Sequence, residues 1–316
     1  MMQSILTPLF NIVVFPGFLF LAAMGMLGQY VDRKLYARLQ NRVGPPFIQP
    51  LADFIKLSAK QETLPEGADR RMFLVLPLVA LAATVTASFY IPMWSDKALF
   101  SFDGDIIVTL YFLMIPTVSF FLAGHASTSL YAEIGAVRAI TQFFAYEVPL
   151  FLAVLSPALL AGTWSISGIA AFYAARPGWW LFNILGFGVG MVAVLGKLEK
   201  VPFDIPEAET EIVGGAFTEY SGRLLALFKM TVDVEAIVAA SLLAAIFLPF
   251  GLGLPALLGF LVYLLKVFLV LVLLTLLRTI MARLRIDQMM AFCWKILAPL
   301  AFVQIVASLV LKGVLS

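Results

Sequence analysis

Long apolar runs dominate the chain and indicate its fold class. Eight runs of about 20 residues are each long enough to cross a hydrocarbon layer of ~30 Å as a helix. They lie near residues 5–30, 72–93, 105–124, 139–162, 179–197, 226–248, 254–278 and 292–314. Without water, backbone amides must bond within the segment, and long unbroken runs favour helices over a barrel. The sequence therefore predicts an all-α polytopic membrane protein with about eight transmembrane helices in one integral membrane domain.

The connection between the first two spans carries a helical pattern of its own. Apolar residues recur at helical spacing from Phe47 to Leu57 and alternate with polar ones. Pro45 and Pro46 precede this stretch, which suits a helix start because proline has no amide proton to leave unsatisfied there. The pattern predicts an amphipathic interfacial helix near residues 47–60. It fits a helix on lipid and a helix packed on neighbouring subunits equally well.

The basic residues indicate the orientation. The connections after the odd-numbered spans hold 15 of the 21 Lys and Arg residues, whereas the opposite side holds Lys97, Arg176 and Lys312. By the positive-inside rule, the long connections face the cytoplasm and both termini face outward across the inner (plasma) membrane. The first span has no basic region ahead of it and no small-residue cleavage site, so we expect a retained helix and not a signal peptide.

Composition narrows the chemistry. Hydrophobic residues make up 62% of the chain and charged residues 13%, and the mean hydropathy is +1.00. A single cysteine, Cys293, and a single histidine, His125, exclude a disulfide within the chain, a thiolate-ligated iron–sulfur cluster and a bis-histidine haem. We therefore expect no metal site and no catalytic residue in this chain. Any redox centre must belong to another chain.

The span 226–248 carries more charge than lipid tolerates. The large apolar residues of this span contribute about −4 to −7 kcal/mol to the free energy of membrane insertion. Lys229, Asp233 and Glu235 together add ~8–10 kcal/mol to that free energy if they are fully buried. The charged face should therefore meet protein or water. Lys229 and Asp233 are four residues apart and can pair. Alternatively, Lys229 snorkels to the boundary and the acids are structural. In the next span, a much larger apolar content tolerates Lys266 even facing lipid.

Two further glutamates stand near the fourth span. Glu147 is predicted to open that span just before Pro149, and Glu133 lies in the short connection before it, with Arg138 five residues on. Glu147 is either an N-terminal cap favoured by the helix dipole or a buried carboxylate that loads and releases a proton near neutral pH.

The densest acidic cluster is the cytoplasmic loop 197–222, which holds six of the 19 acidic residues. These are Glu199, Asp204, Glu207, Glu209, Glu211 and Glu219. If buried, carboxylates this close titrate together and share protons; if solvated, they form an ordinary acidic loop. The adjoining Pro, Phe, Ile and Gly residues favour a folded loop.

Several motifs resemble the H-type membrane subunit of complex I and of related energy-converting hydrogenases. They occur in the family's order on the expected connections, and the resemblance covers most of the chain. The matching stretches are Arg38–Pro45, Gln49–Asp53 with Lys56, Tyr146–Pro149, Val201–Glu211 and Glu219–Gly222.

The resemblance implies a non-catalytic subunit at the heel of a redox-driven ion pump. Its partners would be soluble redox-arm subunits with iron–sulfur clusters, a nickel–iron centre in some relatives, and antiporter-like membrane subunits; no nucleic acid is expected. The acidic path would comprise Glu133, Glu147, Asp204, Glu207, Glu209, Glu211 and Glu219, extended by Glu235. The charge balance of span 226–248 adds Lys229 and Asp233 to the candidate ion path. The junction with the soluble arm would comprise Arg38, Arg42, Gly44, Pro45, Asp53 and Lys56.

One departure from the family bears on the electron acceptor. After Gly44 and Pro45 the chain reaches Gln49 almost directly, whereas quinone-reducing relatives usually carry a longer insertion there. The short form resembles ferredoxin-dependent membrane-bound hydrogenases and sulfur-reducing relatives. A quinone-chamber subunit, with quinone at the junction, is the alternative. Two other classes are a stand-alone secondary transporter, for which we find no internal repeat, and a purely structural anchor.

Overall fold

A computed structural model describes residues 2–93, 95–176 and 178–315. Within these ranges every regular element is helical, and eight helical segments are long and apolar enough to cross a membrane. The predicted all-α, eight-span class is therefore confirmed.

The α-helices are α1 (Met2–Val13), α2 (Phe18–Leu39), α3 (Gln49–Ala59), α4 (Arg70–Ser88), α5 (Asp105–Ala126), α6 (Leu130–Ala161), α7 (Ile166–Ala175), α8 (Ile184–Lys197), α9 (Glu209–Ile212), α10 (Gly222–Phe247), α11 (Ala256–Ile280), α12 (Ile286–Phe292) and α13 (Ala298–Leu315). Short 3₁₀ turns occupy Trp179–Asn183 and Gly215–Phe217, and a π-helical turn at Cys293–Leu297 joins the last two helices.

The first span differs from its predicted outline at both ends. It is interrupted at Pro16, which has no amide proton to continue a helix, so that α1 ends at Val13 and α2 begins at Phe18. The second part then continues to Leu39, well past the predicted limit at residue 30. Polar residues lower the hydropathy of these last turns, so apolarity alone does not mark the end of the helix.

Helix α3 lies where the interfacial helix is predicted. Its first turn contains Pro50, which is buried, while Leu51 and Ile55 are 46% and 57% exposed. The chain thus leaves an apolar side of this helix uncovered, as expected for a helix that meets lipid or another subunit.

One compact unit comprises residues 2–88, 112–141 and 204–238. Its core is a stack of aromatic rings contributed by helices and by the acidic loop. Tyr220 stacks on Phe73 with ring centroids 3.9 Å apart, and Phe228 contacts the rings of Phe120 and Phe217 at 5.5 and 5.1 Å. These contacts anchor the loop to α4, α5 and α10, so the loop has a defined conformation and is not a solvated coil.

The second unit comprises residues 89–111, 142–203 and 239–315. Buried polar side chains join its helices inside the apolar layer. Ser156 and Ser308 contact each other through their hydroxyl oxygens at 2.8 Å, and the Gln304 amide donates to the Phe182 carbonyl at 2.7 Å. Because an unsatisfied polar group is costly in lipid, such bonds hold helices together there. They fix α13 to the rest of its unit.

Candidate functional site

The acidic loop is folded onto the first unit through two glycines. Gly215 has φ +55°, and a Cβ there would lie 1.9 Å from the Pro206 carbonyl oxygen. A Cβ on Gly135 of α6 would lie 2.5 Å from the Cα of Gly215. Both positions therefore require glycine, because no side chain fits between the two backbones. The loop backbone is thereby held directly against α6.

A loop carboxylate contacts a charge on a membrane-spanning helix. The Lys229 ammonium donates to Glu207 Oε1 at 2.5 Å, and the same ammonium lies 5.4 Å from the centre of the Phe217 ring. Both side chains of the ion pair are about 40% exposed. Helical spacing predicts Asp233 as the partner of Lys229, whereas the structure adds a contact to the loop that spacing within one helix cannot reveal.

Asp233 is held from the first transmembrane helix. The Gln29 side-chain amide lies 2.9 Å from both Asp233 carboxylate oxygens. A Cβ on Gly25, one turn earlier in α2, would be 3.1 Å from the Asp233 backbone. The glycine thus lets α2 approach α10 closely enough for Gln29 to reach the carboxylate. This contact places a transmembrane acid in a polar setting that its own helix does not supply.

A cavity of about 500 Å³ lies beside these contacts, between α2, α3 and α10. Its lining combines charged and apolar side chains: Met26, Gln29, Arg33, Pro50, Asp53, Phe54, Lys56, Leu57, Lys60, Lys229, Met230 and Asp233. It is therefore amphipathic, with four basic groups and several large apolar ones. A cavity of this size and character suits a molecule with a polar head and an apolar body.

The junction residues fall into two groups. Asp53 is held at the cavity wall by Arg33, whose guanidinium is 3.2 Å away, and by the Gln49 amide, which donates to it at 2.7 Å. The Lys34 ammonium donates to the Pro45 carbonyl at 3.3 Å. The exposed group comprises Arg38, Arg42 and Lys56.

Gly44 explains the tight turn between α2 and α3. It has φ +72°, and a Cβ there would lie 3.0 Å from that of Ala37. A glycine is therefore favoured on grounds of both conformation and space. The turn brings the exposed basic residues to the same end of the unit as the cavity.

The acids at the start of α6 contact partners at the surface of the first unit. The Arg138 guanidinium binds Glu211 at 2.7 Å, and His125 Nδ1 lies 3.7 Å from Glu133. Glu133 and Glu211 are both more than half exposed. They are therefore accessible to solvent or to a partner chain. Glu209 begins α9, and its side chain lies outside the described residues.

Two glutamates are buried in helices that are long and apolar enough to cross a membrane. Glu235 is 1% exposed and Glu147 is 7% exposed. Helix α6 begins at Leu130, so Glu147 lies in its interior, and the expectation that this residue opens the span is wrong. Consequently the N-cap explanation for Glu147 does not hold. The polar residues Glu133 and Arg138 lower the hydropathy of the first turns of α6, which is why the apolar run starts later than the helix.

Asp204 and Glu219 are both half-buried within the loop. Next to Glu219, the Tyr220 hydroxyl is buried and has no hydrogen-bond partner among the described residues. Burial raises the pKa of this tyrosine above its ordinary value near 10. Tyr220 therefore remains uncharged at neutral pH.

Three polar residues that are buried or that bind a site residue are absent from the sequence prediction. Gln29 holds Asp233, Asp32 is 6% exposed, and Lys197 is 3% exposed. Gln29 and Asp32 lie three positions apart on α2, on the face that also carries Arg33. The sequence shows this polar face only if the helix is continued past residue 30. The predicted first span ends there, so the prediction does not include this face. Lys197 has no comparable signal, because it closes an apolar helix.

A family model and several known proteins are similar to this chain, and they belong to the same family. The family model described as NADH dehydrogenase matches residues 10–309. The H-type subunit of NADH-quinone oxidoreductase from Thermomicrobium roseum is 34% identical, with 92% of each chain covered. The corresponding chain of Bacillus cereus is also 34% identical, with 96% of this chain and 95% of the relative covered.

A solved structure is also similar. It is a chain of the membrane-bound sulfane sulfur reductase, an archaeal respiratory membrane complex. The TM-score is 0.82 at 27% sequence identity, and the match covers 92% of this chain and 96% of that one. Within the described residues, no group of three or more His, Cys, Asp or Glu side chains is arranged to hold a metal ion.

Proposed function

Because this chain belongs to the NADH dehydrogenase family and is an H-type subunit of a complex I-like membrane complex, we propose that it couples a redox reaction on partner chains to ion movement through its own carboxylates. The redox reaction alters the charge and shape of the acidic loop. The loop then changes the protonation of acids on the membrane-spanning helices. This chain holds no redox centre in the proposal.

The contact between Glu207 and Lys229 is the observation that carries this proposal. It joins the loop to α10 through an ion pair. A pair that is this exposed contributes only about 0.2–1 kcal/mol, so a change of charge or conformation nearby is enough to break it. Breaking it frees a lysine next to Asp233 and favours a different protonation state there. The pair therefore suits a switch better than a permanent structural bond.

The remaining acids supply the ion path of the proposal. Glu147 and Glu235 are buried, and burial favours the neutral form of a carboxylate, so each is suited to hold and release a proton. The loop acids deliver protons to these groups from the cytoplasmic side. The proposed path comprises Glu133, Glu147, Asp204, Glu207, Glu209, Glu211, Glu219, Lys229, Asp233 and Glu235.

In this role the chain lies in the inner (plasma) membrane with both termini outside. Its partners are soluble subunits that carry iron–sulfur clusters, and a nickel–iron centre if the complex is a hydrogenase, together with antiporter-like membrane subunits. The soluble arm docks over the exposed basic residues Arg38, Arg42 and Lys56, next to Gly44, Pro45 and Asp53. Charge complementarity at that surface steers the arm into place.

We favour a ferredoxin-dependent hydrogenase or sulfur reductase as the parent complex. The short connection from Pro45 to Gln49 and the similarity to a chain of the sulfane sulfur reductase support this assignment. The test is to purify the intact complex, identify its partner chains and compare ferredoxin-dependent hydrogen or sulfide production with quinone reduction. Gas production without quinone supports the assignment, and robust quinone reduction contradicts it.

The cavity supports a quinone-chamber role as the second candidate. It holds about 500 Å³, and its apolar and basic lining suits a quinone head with an apolar tail. Curated relatives that are 32–34% identical are named as subunits of NADH-quinone oxidoreductase. Met230→Trp would fill the cavity without adding charge. It should reduce quinone-dependent turnover severalfold if quinone binds there and leave it unchanged otherwise.

Paired substitutions test the coupling role itself. We expect Glu147→Gln and Glu207→Gln each to lower ion transport per electron at least tenfold in vesicles that hold the intact complex, because neither glutamine can carry a proton. Glu66→Gln, at an exposed acid, is the matched control and should have no effect. Unchanged transport with normal assembly would identify a structural anchor, and ion transport by the purified chain alone would identify a secondary transporter.

A further inference from the structure

Helix α10 stops at Phe247 and is followed by an apolar segment that is not helical, residues 248–255. This segment runs beside the first turns of α11: a Cβ on Gly251 would lie 2.6 Å from Val262 Cγ1. The carbonyls of Leu248 and Phe250 meet a lysine that is deeper still along α11.

That lysine is Lys266, whose ammonium donates to the Leu248 and Phe250 carbonyls at 3.1 and 3.0 Å. At ~1.5 Å per residue it lies about 15 Å from Ala256, the first residue of α11. This is about half of a ~30 Å hydrocarbon layer. The expectation that Lys266 can face lipid therefore gives way to a specific site at the carboxyl end of α10.

A cavity of about 300 Å³ adjoins this site in the second unit. Its polar lining consists of Ser95, Asp96, Ser241, Tyr263 and Lys266, of which Asp96, Tyr263 and Lys266 are titratable. Asp96 accepts from the Gly253 amide at 3.1 Å, and the Ser241 and Tyr263 hydroxyls lie 2.9 Å apart. The volume is far above the ~30 Å³ that one water occupies in the liquid, and each of these groups is a partner for water.

Two physical arguments indicate that water fills the cavity. Non-helical backbone at membrane depth is tolerated only where protein buries it or where it lines a water-filled cavity. An ammonium has three donors, and the two carbonyls use two of them. The third N–H requires an acceptor, which cavity water supplies. A simple cap, in which the positive charge only balances the carboxyl end of α10, would need no cavity of this size.

We propose that this cavity is hydrated from the side of the membrane reached by the carboxyl end of α10, and that Lys266 exchanges protons with its water. In the exchange an Nζ–H bond breaks, a water oxygen takes the proton, and the electron pair stays on the nitrogen. The neutral amine keeps two N–H groups for the two carbonyls. A proton from water restores the ammonium.

Hydration of the cavity stands on its own observations. A role for Lys266 in releasing transported protons rests in addition on the proposed function, because the acids at the amino half of α10 would supply those protons. The cavity would then be the outlet of the same chain. Two experiments separate the hydration claim from the transport claim.

Cysteine accessibility tests hydration in the intact complex. Cys293 is the single cysteine of this chain and is buried, so Cys293→Ser removes the chain's own thiol, and labelling is scored on this chain after its partner subunits, which contain cysteines, have been separated from it. Lys266→Cys and Ala245→Cys place thiols in the cavity, and Leu265→Cys, at a position 66% exposed on the outside of α11, is the control facing lipid. A charged, membrane-impermeant thiol reagent requires an ionised thiol in water. We expect both cavity positions to react at least tenfold faster than Leu265→Cys, and from one side only. Equal rates at all three positions would overturn hydration.

Lysine replacements test proton exchange. Lys266→Arg keeps the charge and the donors to the carbonyls, but a guanidinium does not release its proton. We expect at least a tenfold loss of ion transport per electron, whereas a structural cap would be preserved. If the arginine complex does not assemble, Lys266→His should transport more than Lys266→Gln, and equal transport would overturn the inference. Loss with Glu207→Gln but not with Lys266→Arg would refute the outlet alone, while no loss with Glu207→Gln would refute the proposed function.

Discussion

Helices α10 and α11 follow each other in the chain and have nearly the same length, 26 and 25 residues, yet they meet very different surroundings. In the most apolar 18-residue stretch of each, 89% of α10 is buried against 28% of α11. The buried helix carries Lys229, Asp233 and Glu235. The exposed helix carries Lys266 in its interior and no other charged residue before Arg278. Charge therefore concentrates where protein, and not lipid, surrounds the helix.

The contacts on the two helices differ in kind as well. On α10, Lys229 and Asp233 are bound by side chains of other elements, Glu207 and Gln29. On α11, Lys266 is bound by backbone carbonyls. A side-chain partner can change its charge or move away, whereas a carbonyl keeps its dipole. The partners of the charged residues on α10 can therefore change when the loop changes. The two backbone partners of Lys266 on α11 keep the same dipoles.

The largest expected effect comes from adding an aspartate to each helix. Ala240 of α10 is fully buried and Leu265 of α11 is 66% exposed. Ala240→Asp should destabilise the complex by more than about 4 kcal/mol, because it buries a carboxyl group with no partner and no room. Leu265→Asp should cost about 2.5–3.5 kcal/mol, the insertion cost in lipid. The yield of assembled complex on native gels measures both.

Ala240→Ser and Leu265→Ala are the matched controls for size and polarity, and both should assemble. If Leu265→Asp prevented assembly as completely as Ala240→Asp, the claim that the two helices have different surroundings would be contradicted. The outer face of α11 would then pack against a partner chain instead of lipid.

An intermediate effect is expected at Asp233. Asp233→Leu should lower stability by about 1–3 kcal/mol, because it leaves the Gln29 amide without the carboxylate that accepts from it. Asp233→Asn keeps an acceptor oxygen and should cost less than about 1 kcal/mol. Thermal unfolding of the purified complex distinguishes the two. Equal losses would mean that the charge of Asp233, and not its hydrogen bond, holds α2 to α10.

The smallest effect concerns pH and Tyr220. Because burial raises its pKa in the folded chain, while the unfolded value is about 10, its contribution to stability is complete below pH ~10 and is lost as the pH rises further. Tyr220→Phe should therefore lose less stability than the parent between about pH 9 and 11. At neutral pH it should change stability by less than about 1 kcal/mol, because no described residue forms a hydrogen bond with the hydroxyl.

Thermal unfolding at several pH values tests this expectation, with Tyr131→Phe, a substitution at a half-exposed tyrosine, as the control. A parent and a Tyr220→Phe variant with parallel alkaline profiles would show that Tyr220 reaches solvent. The loop would then be looser than its aromatic contacts indicate.

Much of the fold could be predicted from the sequence because lipid imposes a simple rule on backbone polar groups. Window averages of hydropathy nevertheless misplace helix ends that carry charge. Glu133 and Arg138 hide the start of α6, and the charged end of α2 reads as a connection. The energy balance of residues 226–248 was informative, since it required a protein environment for a helix that the structure indeed buries.

The candidate site was less predictable, because its contacts join residues far apart in the chain. No local spacing relates Glu207 to Lys229 or Gln29 to Asp233. Lys266 is the opposite case: insertion energies allow it in lipid, but the non-helical segment after α10 offers it two backbone carbonyls. The sequence gives the free-energy cost of placing a charged side chain in the membrane. The partner that offsets this cost is known only from the packing of the helices.

The backbone contact between Gly135 and Gly215 has a consequence for how this chain tolerates substitution. A library randomised at these two codons should return glycine alone, since even alanine would force the two backbones apart. At Gly188 of α8, by contrast, a Cβ would meet no atom within 4 Å, and many residues should survive selection. Substitutions are therefore excluded where the acidic loop touches α6 and tolerated at Gly188 of α8, and the loop can be re-engineered through its side chains but not through its backbone path.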